Sequence, residues 1–253
     1  MQRPIPVTFA SQLMNPKQLS FVFPDERSSL GEPSAILEMT GHTVVFDCET
    51  TGLEWWRDEI IGLGLYCPEL DKGIYIPALD SMTQLIVEYN LAEIAKDPNT
   101  TLIAHNIKFD AHFLKLPLRD INCKYIDTMV MAHLWDSRLR KGLAALEKTF
   151  FGAGSKKSFK PSGGKVHLMR IADVARYCIN DCKLTWDLYN LFRPSLDSIG
   201  LLDLLSIEME YTGQLQLIEK TGMRLDTPHI EESIATFSNN LDLMETELTE
   251  KTG

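Results

Sequence analysis

No apolar run in this chain of 253 residues approaches the ~20 residues that a membrane-spanning helix needs. The opening stretch, MQRPIPVTFASQLMNPKQ, lacks the continuous apolar segment of a secretory signal, so neither membrane insertion nor export is expected. Cysteine is sparse and odd in number: Cys48, Cys67, Cys123, Cys178 and Cys182 lie mostly within apolar patterns. This speaks against a disulfide framework and fits a reduced, intracellular chain. Basic residues are also short, 25 Lys and Arg against 35 Asp and Glu, for a formal charge of -10. That balance argues at first against nucleic acid, because phosphate contacts want Lys and Arg. What is present, 44% hydrophobic and 24% charged residues, is an ordinary globular composition. The length allows one large domain, or a domain plus a fragment.

The charge is unevenly spread. Between residues 137 and 170 stand nine basic residues, Arg138, Arg140, Lys141, Lys148, Lys156, Lys157, Lys160, Lys165 and Arg170, against the single acid Glu147. A local basic surface on an acidic protein can hold a polyanion; a solvated loop is the plainer alternative.

Five prolines (Pro4, Pro6, Pro16, Pro24, Pro33) make residues 1–40 an irregular extension. Alternation then predicts strands over 43–49 and 59–66, a third in KGIYIPA and a short one in TLIA. Gly62 and Gly64 interrupt the second strand where another layer is expected to approach. Helical spacing covers 83–96, 106–116, 127–136, 142–151 and 170–192, with a Gly/Ser/Lys-rich loop at 152–165. Strands first, then helices interleaved with a strand, indicate an α/β fold: a mixed sheet covered by helices. Beyond Pro194 two long helices, 201–220 and 227–251, flank TGMRLD. A helix pair has little to bury on its own, so this end either begins something larger or packs back on the first domain.

Three stretches carry acids in awkward places. In VVFDCETTG, Asp47 and Glu49 are two apart on a strand and project to the same face, so their charges repel unless something positive lies between them. In LIAHNIKFDAHFLK, Asn106 is placed to cap a helix and Asp110 falls in its first turn, where it could simply complement the helix dipole. In IADVARYCINDCKLTWDLYNLF, the stripe Ile171, Val174, Cys178, Cys182, Thr185 and Leu188 reads as a buried face. Asp181 borders that stripe one turn after Tyr177, an acid that is costly there unless paired, hydrogen-bonded or metal-bound. Cys178 and Cys182, with Cys48, suggest zinc only weakly, since core packing is the commoner use. His105 and His112 flank Asp110 and are expected to pack rather than touch phosphate.

D-x-E on a strand, N-x-x-F-D, and Y-x-x-x-D on a helix together resemble the three-part signature of DEDDy-class 3′→5′ exonucleases. The surroundings, over about residues 43–192, are most similar to the proofreading domain of family A DNA polymerases, the bacterial DNA polymerase I type. The resemblance implies a ribonuclease H-like fold and a site holding two divalent ions, Mg2+ or Mn2+. By the family pattern Asp47 bridges both ions, Glu49 and Asp181 complete the coordination of the first ion, Asp110 holds the second ion, partly through water, and Tyr177 orients the attacking water. Leu53 matches a position that wedges against the terminal base, and Asn106 and Phe109 match positions lining the single-strand groove. Phe159, among Lys156, Lys157 and Lys160, offers a stacking face amid basic charge.

The tail, SIEMEYTGQLQLIEKTGMRLD, is similar to the opening of that family's polymerase domain. The expected division is thus an extension (1–40), an exonuclease domain (41–196) and the first polymerase helices (197–253). The expected partners are a single-stranded DNA 3′ end and the remaining polymerase portion, on the same or a separate chain, with no membrane. A bacterial or phage-infected cytoplasm is the expected setting, an organelle remaining open. The rival readings are an RNA-trimming exonuclease of the ribonuclease D type and a non-catalytic module that holds a polymerase.

Overall fold

The computed structural model describes residues 30–78, 80–152 and 169–252. In chain order the regular elements are β1 (Thr43–Thr50), β2 (Ile60–Cys67), β3 (Lys72–Pro77), α1 (Ser81–Ile94), β4 (Thr101–Ala104), α2 (Ile107–Phe113), β5 (Lys124–Asp127), α3 (Thr128–Trp135), α4 (Leu143–Phe150), α5 (Ile171–Ser198), α6 (Leu202–Thr221) and α7 (Thr227–Thr252). The strands form one mixed sheet of order β3-β2-β1-β4-β5. The β1–β2 and β2–β3 pairs are antiparallel, and the β1–β4 and β4–β5 pairs are parallel.

The central strand, β1, is covered on both faces. Val44, Phe46 and Cys48 join Ile36, Met39, Leu91, Ile107 and Ala111 in the larger core cluster. Val45 faces the other way, against Cys182 of α5. Asp47 and Glu49 share Val45's parity and so point to the α5 side. Gly64 and Gly62 lie opposite them on β2. A Cβ at Gly64 would stand 2.5 Å from the Cys178 sulfur, so this glycine is what lets α5 approach the acid-bearing strand.

Several local expectations change. Pro33–Met39 form a 3-10 helix instead of irregular chain. Pro33 sits in its first turn, where no N–H is needed, and Ile36 and Met39 insert fully into the core. Strand β5 was not anticipated. The long helix α5 continues past residue 192 and through Pro194 to Ser198, because Phe192 and Leu196 remain buried and hold the axis across the lost hydrogen bond. Its inward stripe starts at Val174; Ile171 is 41% exposed.

One compact unit ends at Leu217 and a second begins at Ile218. Helix α6 is joined to the sheet domain by hydrogen bonds that sequence periodicity does not reveal. Tyr125 donates its hydroxyl to the Met209 carbonyl at 2.7 Å. Gln216 accepts from the Leu118 N–H at 3.0 Å and donates to the Leu116 carbonyl at 2.8 Å. In the second unit, α7 has no buried residue, and Ile234, Phe237, Leu241 and Met244 are all exposed. No helix among the described residues is long and apolar enough to cross a membrane.

Candidate active site

The acids converge from three elements. Carboxylate oxygens of Asp47 and Glu49 and the Cys178 sulfur all lie within 4.8 Å of one another. Cys178 donates its S–H to the Asp47 main-chain carbonyl at 3.2 Å and to its carboxylate at 3.5 Å. Asp110 arrives from α2 on the opposite side of β1, and its Oδ1 accepts the Cys48 N–H at 2.8 Å. Asp181 enters from α5, with Oδ1 buried and accepting no protein hydrogen bond. The fields of all four carboxylates reach the Cys182 thiol, which burial first and then these charges hold well above its usual range.

Electrostatics here are those of negative charge gathered under low solvation. Burial pushes the Asp110 carboxyl up to about 7, and the nearby charge of Asp127 adds to this against the Cys48 hydrogen bond. Burial also raises the Tyr177 phenol far above its ordinary value, helped by the charges of Asp181, Glu49 and Asp47 and by its hydrogen bond to Asp181. A phenol so shifted stays protonated at neutral pH and is a donor. The donor set fits hard divalent cations, since closely placed carboxylates with raised affinity for positive charge are what such ions require.

Asp127, at the end of β5, is a positioning residue that the sequence reading missed. Its buried carboxylate accepts from the N–H groups of Asn106 (2.9 Å), Ile107 (3.0 Å) and Met129 (2.8 Å). It therefore holds the start of both α2 and α3. Asn106 does occupy the position before α2, but in the left-handed region (φ 68°) and without a side-chain cap, so Asp127 does the capping assigned to it. An isolated Asp before a helical pattern was the available signal, and it reads equally as the local cap of α3 alone.

The substrate-side candidates divide. Leu53 is 80% exposed on the loop after β1. Phe109 is partly buried and packs against Phe113 at 5.0 Å. Phe159, Lys156, Lys157 and Lys160 lie outside the described residues. Of the remaining basic stretch, Arg138 pairs with Asp136 at 2.9 Å. Both histidines are engaged: His105 bonds Thr128 and the Lys141 carbonyl at 2.9 and 2.8 Å, and His112 stacks on Trp55 with ring centres 4.4 Å apart. Cys48, Cys178 and Cys182 are buried core thiols.

A mixed five-stranded sheet with acids from β1, α2 and α5 over its centre defines the class as a ribonuclease H-like nuclease. Solved structures share the fold: Escherichia coli RNase D (TM-score 0.58, 15% identity, 73% of this chain and 48% of that one), Brucella melitensis NrnC with bound Mg2+ (0.54, 18%, 72% and 86%), and Pol1 of M. smegmatis (0.62, 18%, 83% and 35%). The profile of the 3′-5′ exonuclease family matches residues 30–197, and the chain belongs to that family, the exonuclease domain of family A DNA polymerases. Curated relatives include the DNA polymerase of Escherichia phage T5, 27% identical over 222 residues (79% of this chain, 26% of the relative). DNA polymerase I of Borreliella burgdorferi is 25% identical over 221 residues (83% and 24%). The chain thus spans about a quarter of the length of these relatives.

Proposed function

We propose that this chain hydrolyses the terminal phosphodiester of single-stranded or frayed DNA from the 3′ end, as the proofreading part of a family A DNA polymerase. The observation that carries the reading is the convergence of Asp47, Glu49, Asp110 and Asp181 beside a protonated Tyr177. In the reaction a water oxygen bonds to phosphorus and the bond to the penultimate 3′-oxygen breaks, releasing a nucleoside 5′-monophosphate. Asp47, Glu49, Asp110 and Asp181 would hold two divalent ions, Mg2+ or Mn2+, which supply stabilisation of the charge that develops on attacking and leaving oxygens. Tyr177 donates to Asp181 and fixes where the attacking water sits; its raised pKa makes it unsuited to remove a proton. Leu53 is assigned to wedge the terminal base, which its exposure on the loop after β1 supports, and Asn106 and Phe109 are assigned to border the strand. Lys156, Lys157, Lys160 and Phe159 are assigned to the single-strand path on charge and aromatic character.

The partner is the remaining polymerase portion, and the exposed apolar residues of α7 are its docking surface. We assign this work to the cytoplasm of a bacterial or phage-infected cell, a reading supported by bacterial and phage relatives. RNA trimming is the second reading, favoured by the shared fold of RNase D. Digestion of 5′-labelled DNA and RNA oligonucleotides of one sequence, with Mg2+, Mn2+ or EDTA, tests both. A ladder shortening from the 3′ end on DNA, lost in EDTA, is expected. Full activity in EDTA sinks the reading, and a strong preference for RNA replaces it with the second. Robust primer extension by this chain alone would count against a separate polymerase portion.

A further inference from the structure

At the other end of β1 from the acids lies a second cluster of side chains of the types that ligate metals. The donor atoms of His42, Cys67 and Glu69 all fall within 4.8 Å of one another. Four strand steps separate Thr43 from Asp47, about 13 Å at the strand rise, so this group is distinct from the exonuclease centre. We propose that His42, Cys67 and Glu69 form a binding site for a borderline-soft divalent ion, Zn2+ by the chemistry of its ligands.

The local structure gathers donors around one buried sulfur. Cys67 ends β2 fully buried, and the turn Cys67-Pro68-Glu69-Leu70 folds the N–H groups of Glu69 and Leu70 back onto its sulfur. Burial nevertheless holds this thiol above its usual range, with those N–H groups pulling the other way, so an incoming metal must displace its proton. Glu69 is already oriented: its Oε1 accepts the Thr43 N–H at 3.2 Å, and its Oε2 accepts the Cys67 S–H at 3.6 Å. A hydrogen bond to the far oxygen of a ligating carboxylate is the kind of supporting contact metal sites use. His42 is pinned by its backbone, donating N–H to the Met39 carbonyl at 3.2 Å and accepting from the Thr101 N–H at 3.1 Å.

The ligand set decides the ion. One thiolate, one imidazole and one carboxylate suit zinc and exclude magnesium, which wants oxygen only. Tetrahedral zinc places such donors about 3.4–3.6 Å apart, so closure needs shifts of about an ångström. Binding releases the thiol proton, gives a site of zero net charge from Zn2+, thiolate and carboxylate, and leaves one position for water. It also joins the start of β1 to the end of β2, clamping the hairpin whose far end carries Asp47 and Glu49.

The test uses the reduced full chain in saturating Mg2+, which occupies oxygen-rich sites. Cobalt(II) should produce a thiolate-to-metal charge-transfer absorption, and zinc competition against a chromophoric chelator should give one tight equivalent. Cys67→Ser should abolish the absorption. His42→Ala, a half-buried turn position away from the core, should weaken zinc by more than about 100-fold, beyond the 10–100-fold typical of a supporting contact. Cys178→Ala should leave both readouts intact. The proposal is overturned by absence of the absorption in the wild type, by its survival in Cys67→Ser, by unchanged affinity in His42→Ala, or by its loss in Cys178→Ala. None of these readouts depends on nuclease activity, so the proposal fails or stands separately from the exonuclease reading.

Discussion

Replacing Asp110 with asparagine should stabilise the metal-free protein while destroying its activity. Asp110 is buried, and its carboxyl titrates at about 7 against an ordinary 3.8. A carboxyl whose folded pKa is raised stabilises fully below the unfolded value, and that contribution is lost as pH rises through the folded one. Wild-type stability in EDTA should therefore fall between about pH 4 and pH 7. The shift is 7 minus 3.8, about three units, and at 1.36 kcal/mol per unit it sets an upper bound of roughly 4 kcal/mol at pH 8. Neighbouring acids relax when the charge goes, so about 2–4 kcal/mol is the gain expected of the variant. Asparagine keeps the Cys48 hydrogen bond, because its amide oxygen can accept at the same 2.8 Å position. Urea unfolding of wild type and Asp110→Asn at pH 5 and pH 8, in EDTA and in Mg2+, reads this directly. The two proteins should agree near pH 4 and diverge above pH 6. Burial pushes Asp187 up to about 6, so some slope survives in both. Mg2+ should stabilise the wild type at pH 8 more than the variant. An unchanged pH slope in Asp110→Asn would refute the assignment of this penalty to that carboxyl.

Asp47→Ala and Asp181→Ala should each lower hydrolysis by several orders of magnitude with single-strand binding largely intact, whereas Tyr177→Phe should cost roughly 10- to 1,000-fold; single-turnover digestion measures all three. Asp127→Ala leaves the N–H groups that start α2 and α3 without their acceptor and should cost about 3–5 kcal/mol by urea denaturation, and a loss under 1 kcal/mol would remove its positioning role. Gly64→Ala drives a methyl group into the Cys178 sulfur and should destabilise by about 1–3 kcal/mol. Adding Cys178→Ala should return part of that loss, and strict additivity in the double variant would show the contact is not the cause.

The parts of the molecule legible in sequence are those whose signal is local. Period-two alternation marked β1 and β2, helical spacing marked α1 through α7 but ended α5 short at residue 192, and the Asp47/Glu49 pair announced itself by repulsion on one strand face. Other features depend on partners far along the chain. Strand β5 is four residues long and only partly buried, so it has no pattern of its own; its register comes from pairing with β4. Pro33–Met39 reads as irregular because proline denies ordinary structure, yet burial of Ile36 and Met39 selects a short 3-10 helix. Pro194 reads as a stop, and buried Phe192 and Leu196 carry the helix through it. The capping of α2 passes from Asn106 to Asp127, twenty-one residues away, because a folded β5 brings that carboxylate to the helix start. Local chemistry alone determined which residues are acids, strand formers and helix formers. Tertiary structure alone decided that Asp110 and Asp181 are buried beside Asp47 and Glu49, because a carboxylate's environment is made by the elements packed around it and not by its neighbours in sequence.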